Sequence, residues 1–241
     1  MMAVRWITGF LDSPGPEVEA FWVAVTGWEL SARRDGGTFA TLVPGDGDAC
    51  LRVQVVGDGP ARSHLDLHVD EVASAVARAV ELGATVTVDR GDPVVLASPA
   101  GIVFCVVGWA GERRRPAPGR WAGGWHSVVD QWCLDVPEAV HAREVDFWAA
   151  LTGWAVRPSD LPEFCHLERP EGMAVRLLVQ RTGAAVAGVH VDFACDDVDA
   201  EVARHVGCGA VVVRRVPGDW TTLRDPAGRE YCVTGRSPHP S

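Results

Sequence analysis

The chain has 241 residues, 47% of them apolar, with a formal net charge of −10; that is room for one large or two ordinary domains around a full core. The acidic balance argues against nonspecific nucleic-acid binding, and no run approaches the roughly 18 apolar residues that span a bilayer. All 22 basic residues are arginine, which excludes Schiff-base catalysis through a lysine.

The opening "MMAVRWITGF" lacks a long apolar run with a small-residue cleavage site, so no secretory leader is expected. "WITGFL" reads as a first strand. A helix follows "SPGP", with Pro16 near its first turn; it runs through Val18, Phe21, Trp22 and Val25 and closes at Gly27. "FATLV" and "CLRVQVV" read as strands. Next comes the acidic, histidine-led stretch "HLDLHVDE", His64 to Glu71. Asp70 is placed as the N-cap of a second helix, whose face is drawn through Val72, Val76 and Val80 and which stops at Gly83. "ATVTV", "PVVLA" and "IVFCVV" are three further strands.

"GWAGERRRPAPGRWAGG", Gly108 to Gly124, has no periodicity and reads as a linker, with the Arg113-Arg114-Arg115 run as a solvated part of it. Beyond it the first half returns. Phe21-Trp22 recurs as Phe147-Trp148, Thr26-Gly27-Trp28 as Thr152-Gly153-Trp154, His64 as His190 and Gly83-Ala84 as Gly209-Ala210, each 126 positions on. Pro99-Ala100-Gly101 recurs as Pro226-Ala227-Gly228 after one inserted residue. The halves are diverged copies of one unit, giving domains at 1–108 and 125–236 joined by 109–124. Each half repeats strand, helix and three strands, so the chain reads as four βαβββ modules of the α+β class.

The seven cysteines, at 50, 105, 133, 165, 195, 208 and 232, form no C-x-x-C pair. In apolar surroundings they read as small buried hydrophobes in a reducing cytoplasm, which is the expected location. Trp22, Trp28, Trp148 and Trp154 occupy repeated helix positions and read as core; Trp6, Trp132 and Trp220 fit either core or the wall of a cup. There is no P-loop, G-x-S-x-G, H-E-x-x-H or Rossmann glycine pattern.

The chain resembles the vicinal oxygen chelate superfamily: glyoxalase I, bleomycin-resistance proteins and extradiol dioxygenases. The resemblance rests on "AFWVAVTGW" and "DFWAALTGW", "HLDLHVDEV" and "HVDFACDDV", "ELGATV" and "GCGAVV", and "SPAGIVFCVV" and "DPAGREYCVT". It implies two glyoxalase-like domains, each a curled mixed sheet enclosing a cup. Strand alternation then turns His64, Asp66 and His68 into the first cup and packs Leu65, Leu67 and Val69 beneath it. With Arg52 and Gln54 these are the expected ligand-binding groups of the first cup. Arg176, Gln180 and Asp192 are those of the second. His64 and His190 also fit a purely structural role, hydrogen-bonded to the neighbouring turn or strand.

The resemblance also implies metal ligands at His190 and at a glutamate after the "DPxG" turn, taken as Glu230, with Asp130 as a third. The first half has Val103 where that glutamate would stand. A divalent site needs roughly three protein ligands, so the sequence favours a protein that binds a small molecule in a cup without a metal. The alternatives are a metal-dependent lyase, isomerase or dioxygenase using the second cup, with a divalent metal there, and a structural or regulatory module with vestigial cups. No catalytic residue is assigned. The partner is a small molecule, with neither nucleic acid nor membrane, and the halves are expected to pack as a pseudo-dimer.

Overall fold

The computed structural model describes residues 3–239. The first quarter of the chain forms β1 (Val4–Ser13), α1 (Glu19–Thr26), β2 (Glu29–Leu30), β3 (Phe39–Val43) and β4 (Leu51–Val55). The second forms β5 (Arg62–Val69), α2 (Val72–Glu81), β6 (Thr85–Asp89), β7 (Val94–Ala97) and β8 (Val103–Gly108). A short β9 (Gly119–Arg120) precedes β10 (His126–Pro137), α3 (His141–Thr152), β11 (Val156–Pro158), β12 (Phe164–Leu167) and β13 (Arg176–Thr182). The last quarter is β14 (Gly188–Cys195), α4 (Val198–Gly207), β15 (Val211–Val216), β16 (Trp220–Arg224) and β17 (Glu230–Thr234).

The expected four βαβββ modules are therefore present and build two mixed sheets. The first sheet has the order β2-β3-β4-β1-β5-β8-β7-β6; the second has β11-β12-β13-β10-β14-β17-β16-β15, with β9 beside β10. β5 and β8 run parallel, as do β14 and β17, while β6, β7 and β8, and β15, β16 and β17, are antiparallel neighbours.

The repeated Thr-Gly-Trp triplet has a local cause. Thr26 and Thr152 each donate their hydroxyl to the carbonyl four residues back, Trp22 and Trp148, and accept from the N–H of Trp28 and Trp154. Gly27 and Gly153 then end the helices at φ 70° and 74°, a left-handed conformation that a side chain would strain.

By contacts the chain forms two compact units, each discontinuous in sequence. Among the described residues the first comprises 3–9, 63–114 and 132–189, and the second 10–62, 115–131 and 190–239. In the first, Phe104 of β8 packs edge-on against Trp148 of α3 at 5.2 Å between ring centroids. Trp132 lies so close to Gly9 that a Cβ there would fall 1.7 Å from its ring. In the second, Trp22 of α1 meets Tyr231 at 5.3 Å and Phe193 at 6.4 Å, and its indole N–H donates to Asp225 at 3.0 Å. Trp22, Trp28, Trp148 and Trp154 are buried as expected, and so are Trp6 and Trp132.

Three local expectations are corrected. Asp70 does not cap α2: it pairs with Arg5 at 2.8 Å, and the N-cap is Glu71, which makes no side-chain capping bond. The buried face of α2 runs through Ala75 and Ala79, with Val80 exposed; the small side chains let the helix backbone approach β8. Arg115 is not solvated, because its guanidinium is almost buried against Asp130 at 2.7 Å. No helix among the described residues is long and apolar enough to cross a membrane.

Candidate functional site

Two strands carry the histidine-led stretches, and each lies parallel to the strand that follows the Pro-Ala-Gly turn. In the first unit the register sets Asp66 of β5 opposite Cys105 of β8. In the second it sets Asp192 of β14 opposite Cys232 of β17. Residues opposite one another in a sheet share a face, and so do residues two apart on one strand. His64, Asp66 and Cys105 therefore converge, as do His190, Asp192 and Cys232. Within each trio the ligand atoms all lie within 4.8 Å of one another.

The geometry of the second trio is specific. His190 Nε2 lies 3.3 Å from Asp192 Oδ1 and 3.7 Å from Cys232 Sγ. Both neighbours approach the same ring nitrogen. A relay of the nucleophile–base–acid kind would use opposite nitrogens of the ring; donors gathered on one nitrogen point instead to a shared centre. Gln131 donates its amide N–H to Asp192 Oδ2. Asp192 Oδ1 is buried and accepts no hydrogen bond from the described residues. Thr222, opposite Cys232 on β16, brings its hydroxyl to 3.5 Å from the sulfur.

In the first trio His64 Nε2 stands 3.7 Å from Asp66 Oδ1. Val95 replaces the threonine opposite the cysteine. His68, the next residue on that face, is buried; its Nε2 is 3.0 Å from Thr8 Oγ1 and its Nδ1 is 3.5 Å from Glu112. The second copy has Ala194 at the matching place. Asp66 and Asp192 are both buried, while His64 and His190 on the same faces are part-exposed.

The other expected residues fall elsewhere. Glu230 is exposed and pairs with Arg224 at 2.8 Å; it sits two residues before Cys232, which is the residue brought to His190. Asp130 is held by Arg115 at 2.7 Å and by Arg236 at 3.0 Å. Arg52 is half-buried, its guanidinium 5.6 Å from the centre of the Phe10 ring, and Gln54 is half-buried on the same strand. Gln180 faces Cys133, whose sulfur lies 3.8 Å from its carbonyl oxygen. Arg176 stands near His166, whose pKa is lowered first by burial and then by that arginine. A cleft of about 550 Å³ lies among Asp196–Asp199 and Arg215–Thr221; half-buried Trp220 is on its wall, and none of the expected ligand-binding or metal residues lines it.

Sequence reasoning missed Cys105 and Cys232. For Cys50 and Cys195 the reading as small buried hydrophobes holds: burial pushes both thiols up to about 12. The signal that sets Cys105 and Cys232 apart was in the repeat, since each stands six residues after the proline of the Pro-Ala-Gly turn.

The glyoxalase-like domain family matches residues 10–107 and 131–234. The chain belongs to that family. No curated protein matches this family member by sequence. Among solved structures it is similar to the Mn(II)-bound glyoxalase from Novosphingobium aromaticivorans, with 17% identity, a TM-score of 0.71 and coverage of 99% of this chain and 83% of that one. It is also similar to an extradiol ring-cleaving dioxygenase from B. fuscum, at 13% identity and a TM-score of 0.65 over 100% and 75% of the two chains. A mutant 4-hydroxymandelate synthase from Streptomyces coelicolor gives 14% identity and 0.62 over 99% and 94%. At these identities the likeness is one of fold. The glyoxalase-like fold is thus common to proteins of different chemistry, and the residues of this chain must carry any narrower reading.

Proposed function

We propose that this glyoxalase-like protein holds a divalent metal ion at His190, Asp192 and Cys232 and binds a small oxygen-bearing molecule there. The observation that carries the reading is the convergence of an imidazole nitrogen, a thiol sulfur and an unsatisfied buried carboxylate oxygen. Tetrahedral zinc with ordinary bond lengths requires N···O and N···S separations of about 3.4 and 3.6 Å; the separations here are 3.3 and 3.7 Å. The donor set fits. It includes a soft sulfur, which selects zinc-like ions over magnesium or calcium.

When bound, such an ion polarises an oxygen of the ligand as a Lewis acid. The chain's own groups prepare the site. Gln131 fixes the Asp192 carboxylate by binding Oδ2, which leaves Oδ1 directed at His190. The Thr222 hydroxyl beside Cys232 steadies a thiolate. Three protein donors leave a coordination position for substrate, the arrangement of catalytic rather than structural zinc sites. The reaction class this favours is a Lewis-acid lyase or isomerase.

The first copy holds the same three donors without the threonine, and we assign it a weaker site. The halves act as a fused pseudo-dimer, a reading supported by Trp22 against Phe193 and Tyr231 and by Phe104 against Trp148.

The test is reconstitution of chelator-stripped protein with Co²⁺. Binding should bring a thiolate-to-cobalt absorption band, and Cys232→Ser or His190→Ala should remove most of it. Glu230→Gln should leave it unchanged. A chain that takes up no Co²⁺ through sulfur, yet binds small molecules equally well in chelator, would overturn this reading in favour of metal-free binding.

A further inference from the structure

A second donor cluster lies outside the sheet faces. His126 opens β10, Asp196 follows β14, and His239 lies beyond β17, so three separate segments meet. His126 Nδ1 is 2.9 Å and His239 Nε2 3.7 Å from the same Asp196 oxygen, and the two imidazole rings stand edge-on with centroids 4.9 Å apart. Two of the three donors are already fixed by backbone. The His126 N–H donates to the Asp196 carboxylate at 3.0 Å, and the Asp196 N–H donates to the His126 carbonyl at 3.1 Å. His239 is delivered by two anchors just before it: Arg236 pairs with Asp130 at 3.0 Å, and Arg115 donates to the Pro238 carbonyl at 3.3 Å.

We propose that His126, Asp196 and His239 form a separate transition-metal site that staples the segment 236–239 to the sheet. Two imidazoles and a carboxylate are the donors that zinc, nickel and copper prefer. His239 stands beyond hydrogen-bond reach of Asp196. Closing on a shared ion turns the loose His239–Asp196 contact into a bond and exchanges the His126 Nδ1–Asp196 hydrogen bond at 2.9 Å for two metal bonds, while the His126 backbone N–H still holds the carboxylate. The side chains of His126, Asp196 and His239 are 29%, 37% and 51% exposed, so an ion from solution reaches them without passing through the protein. The cluster contains no sulfur, which separates it spectroscopically from the thiolate centres.

The experiment uses the full chain, stripped with chelator and then titrated with Co²⁺. Wild-type protein should bind one equivalent that adds nothing to the thiolate band. His239→Ala and Asp196→Asn, both at exposed positions, should each lose that equivalent and leave the thiolate band intact. Trypsin supplies a second reading, because it cuts after Arg236. With Zn²⁺ at ten times its dissociation constant, cleavage there should slow roughly tenfold in wild type, as expected when the ion binds only the closed segment, and not at all in His239→Ala. Equal Co²⁺ stoichiometry in wild type and His239→Ala overturns the proposal, as does cleavage indifferent to Zn²⁺. A thiolate band that disappears with His239→Ala would also overturn it, by showing that the ion lost was one held by sulfur.

Discussion

The two copies keep the same three donors at the same register and differ in what surrounds them. Beside Cys232 stands Thr222, with Gln131 holding Asp192; opposite Cys105 stands Val95, and β5, which bears His64 and Asp66, also carries a buried His68. The helix that follows each strand differs too. Asp197 caps α4 by accepting from the Ala200 N–H at 2.9 Å, whereas Glu71 at the head of α2 caps nothing. Duplication preserved the converging atoms, and divergence worked on their supports. Donor identity alone therefore does not make two sites equivalent, because outer contacts decide how firmly each donor is aimed.

The largest expected effect comes from breaking the copies apart. A cut between Gly111 and Gly119 followed by separation strips Trp22 of Phe193, Tyr231 and Asp225, and strips Phe104 of Trp148. Each half alone should aggregate in light scattering, while co-expressed halves should recover a soluble complex. Two soluble monomeric halves would show the copies to be autonomous.

The buried glutamates sharpen the contrast between the units. Glu144 and Glu201 are both fully buried. Burial raises Glu144, and the neutral donors Trp148 and Ala100 do not reverse it. Burial also opposes the Glu201 carboxylate, but hydrogen bonds from His205 and Arg204 bring it well below the usual range. Removing the cation by Arg204→Met should cost about 3–5 kcal/mol in denaturant unfolding, the usual cost of stranding a buried charge. Glu144→Gln keeps one acceptor for two buried donors, the Trp148 indole N–H and the Ala100 N–H, and should cost about 1–3 kcal/mol, less than Arg204→Met.

The signs with pH follow. The folded pKa values of Glu201 and His205 both lie below their unfolded values, His205 chiefly through burial. Their stabilisation is present above the unfolded values and is lost as pH falls, beginning below about 6.5. For Glu144, raised on folding, stability is instead lost as pH rises through its folded pKa above 4.5. Urea midpoints of Glu144→Gln and Glu201→Gln across pH 4 to 8 should thus diverge from wild type in opposite directions.

Thr222→Val makes the second trio like the first and should weaken its Co²⁺ affinity about 10- to 100-fold, the range for an outer-shell partner. The smallest effect is in the caps. Asp197→Ala should cost about 1 kcal/mol and Glu71→Ala a few tenths at most; equal costs would mean that the helix starts differ only in appearance.

Much of the fold was legible because a duplicated pattern reports itself. Matching Thr-Gly-Trp and Pro-Ala-Gly triplets located equivalent helix ends and turns without any contact information. The site was legible only along single strands. Alternation put His64 with Asp66 and His190 with Asp192, but Cys105 and Cys232 reach them through parallel pairing of strands about forty residues apart, and register is not written in local sequence. Glu230 follows from the family resemblance, and it lies exposed beside Arg224, two residues before Cys232. Arg115 reads as linker until Asp130 appears beside it.

The indole of Trp22 finds its carboxylate partner 203 residues later in the chain. At a ribosomal rate of about 5–20 residues per second, that interval is roughly 10 to 40 s. For this time a newly made α1 carries Phe21 and Trp22 without the Phe193 and Tyr231 rings that they meet in the finished fold. Synthesis therefore includes an interval in which this apolar face is exposed, and slow translation of the second half should lower the yield of native protein even where the finished molecule is stable.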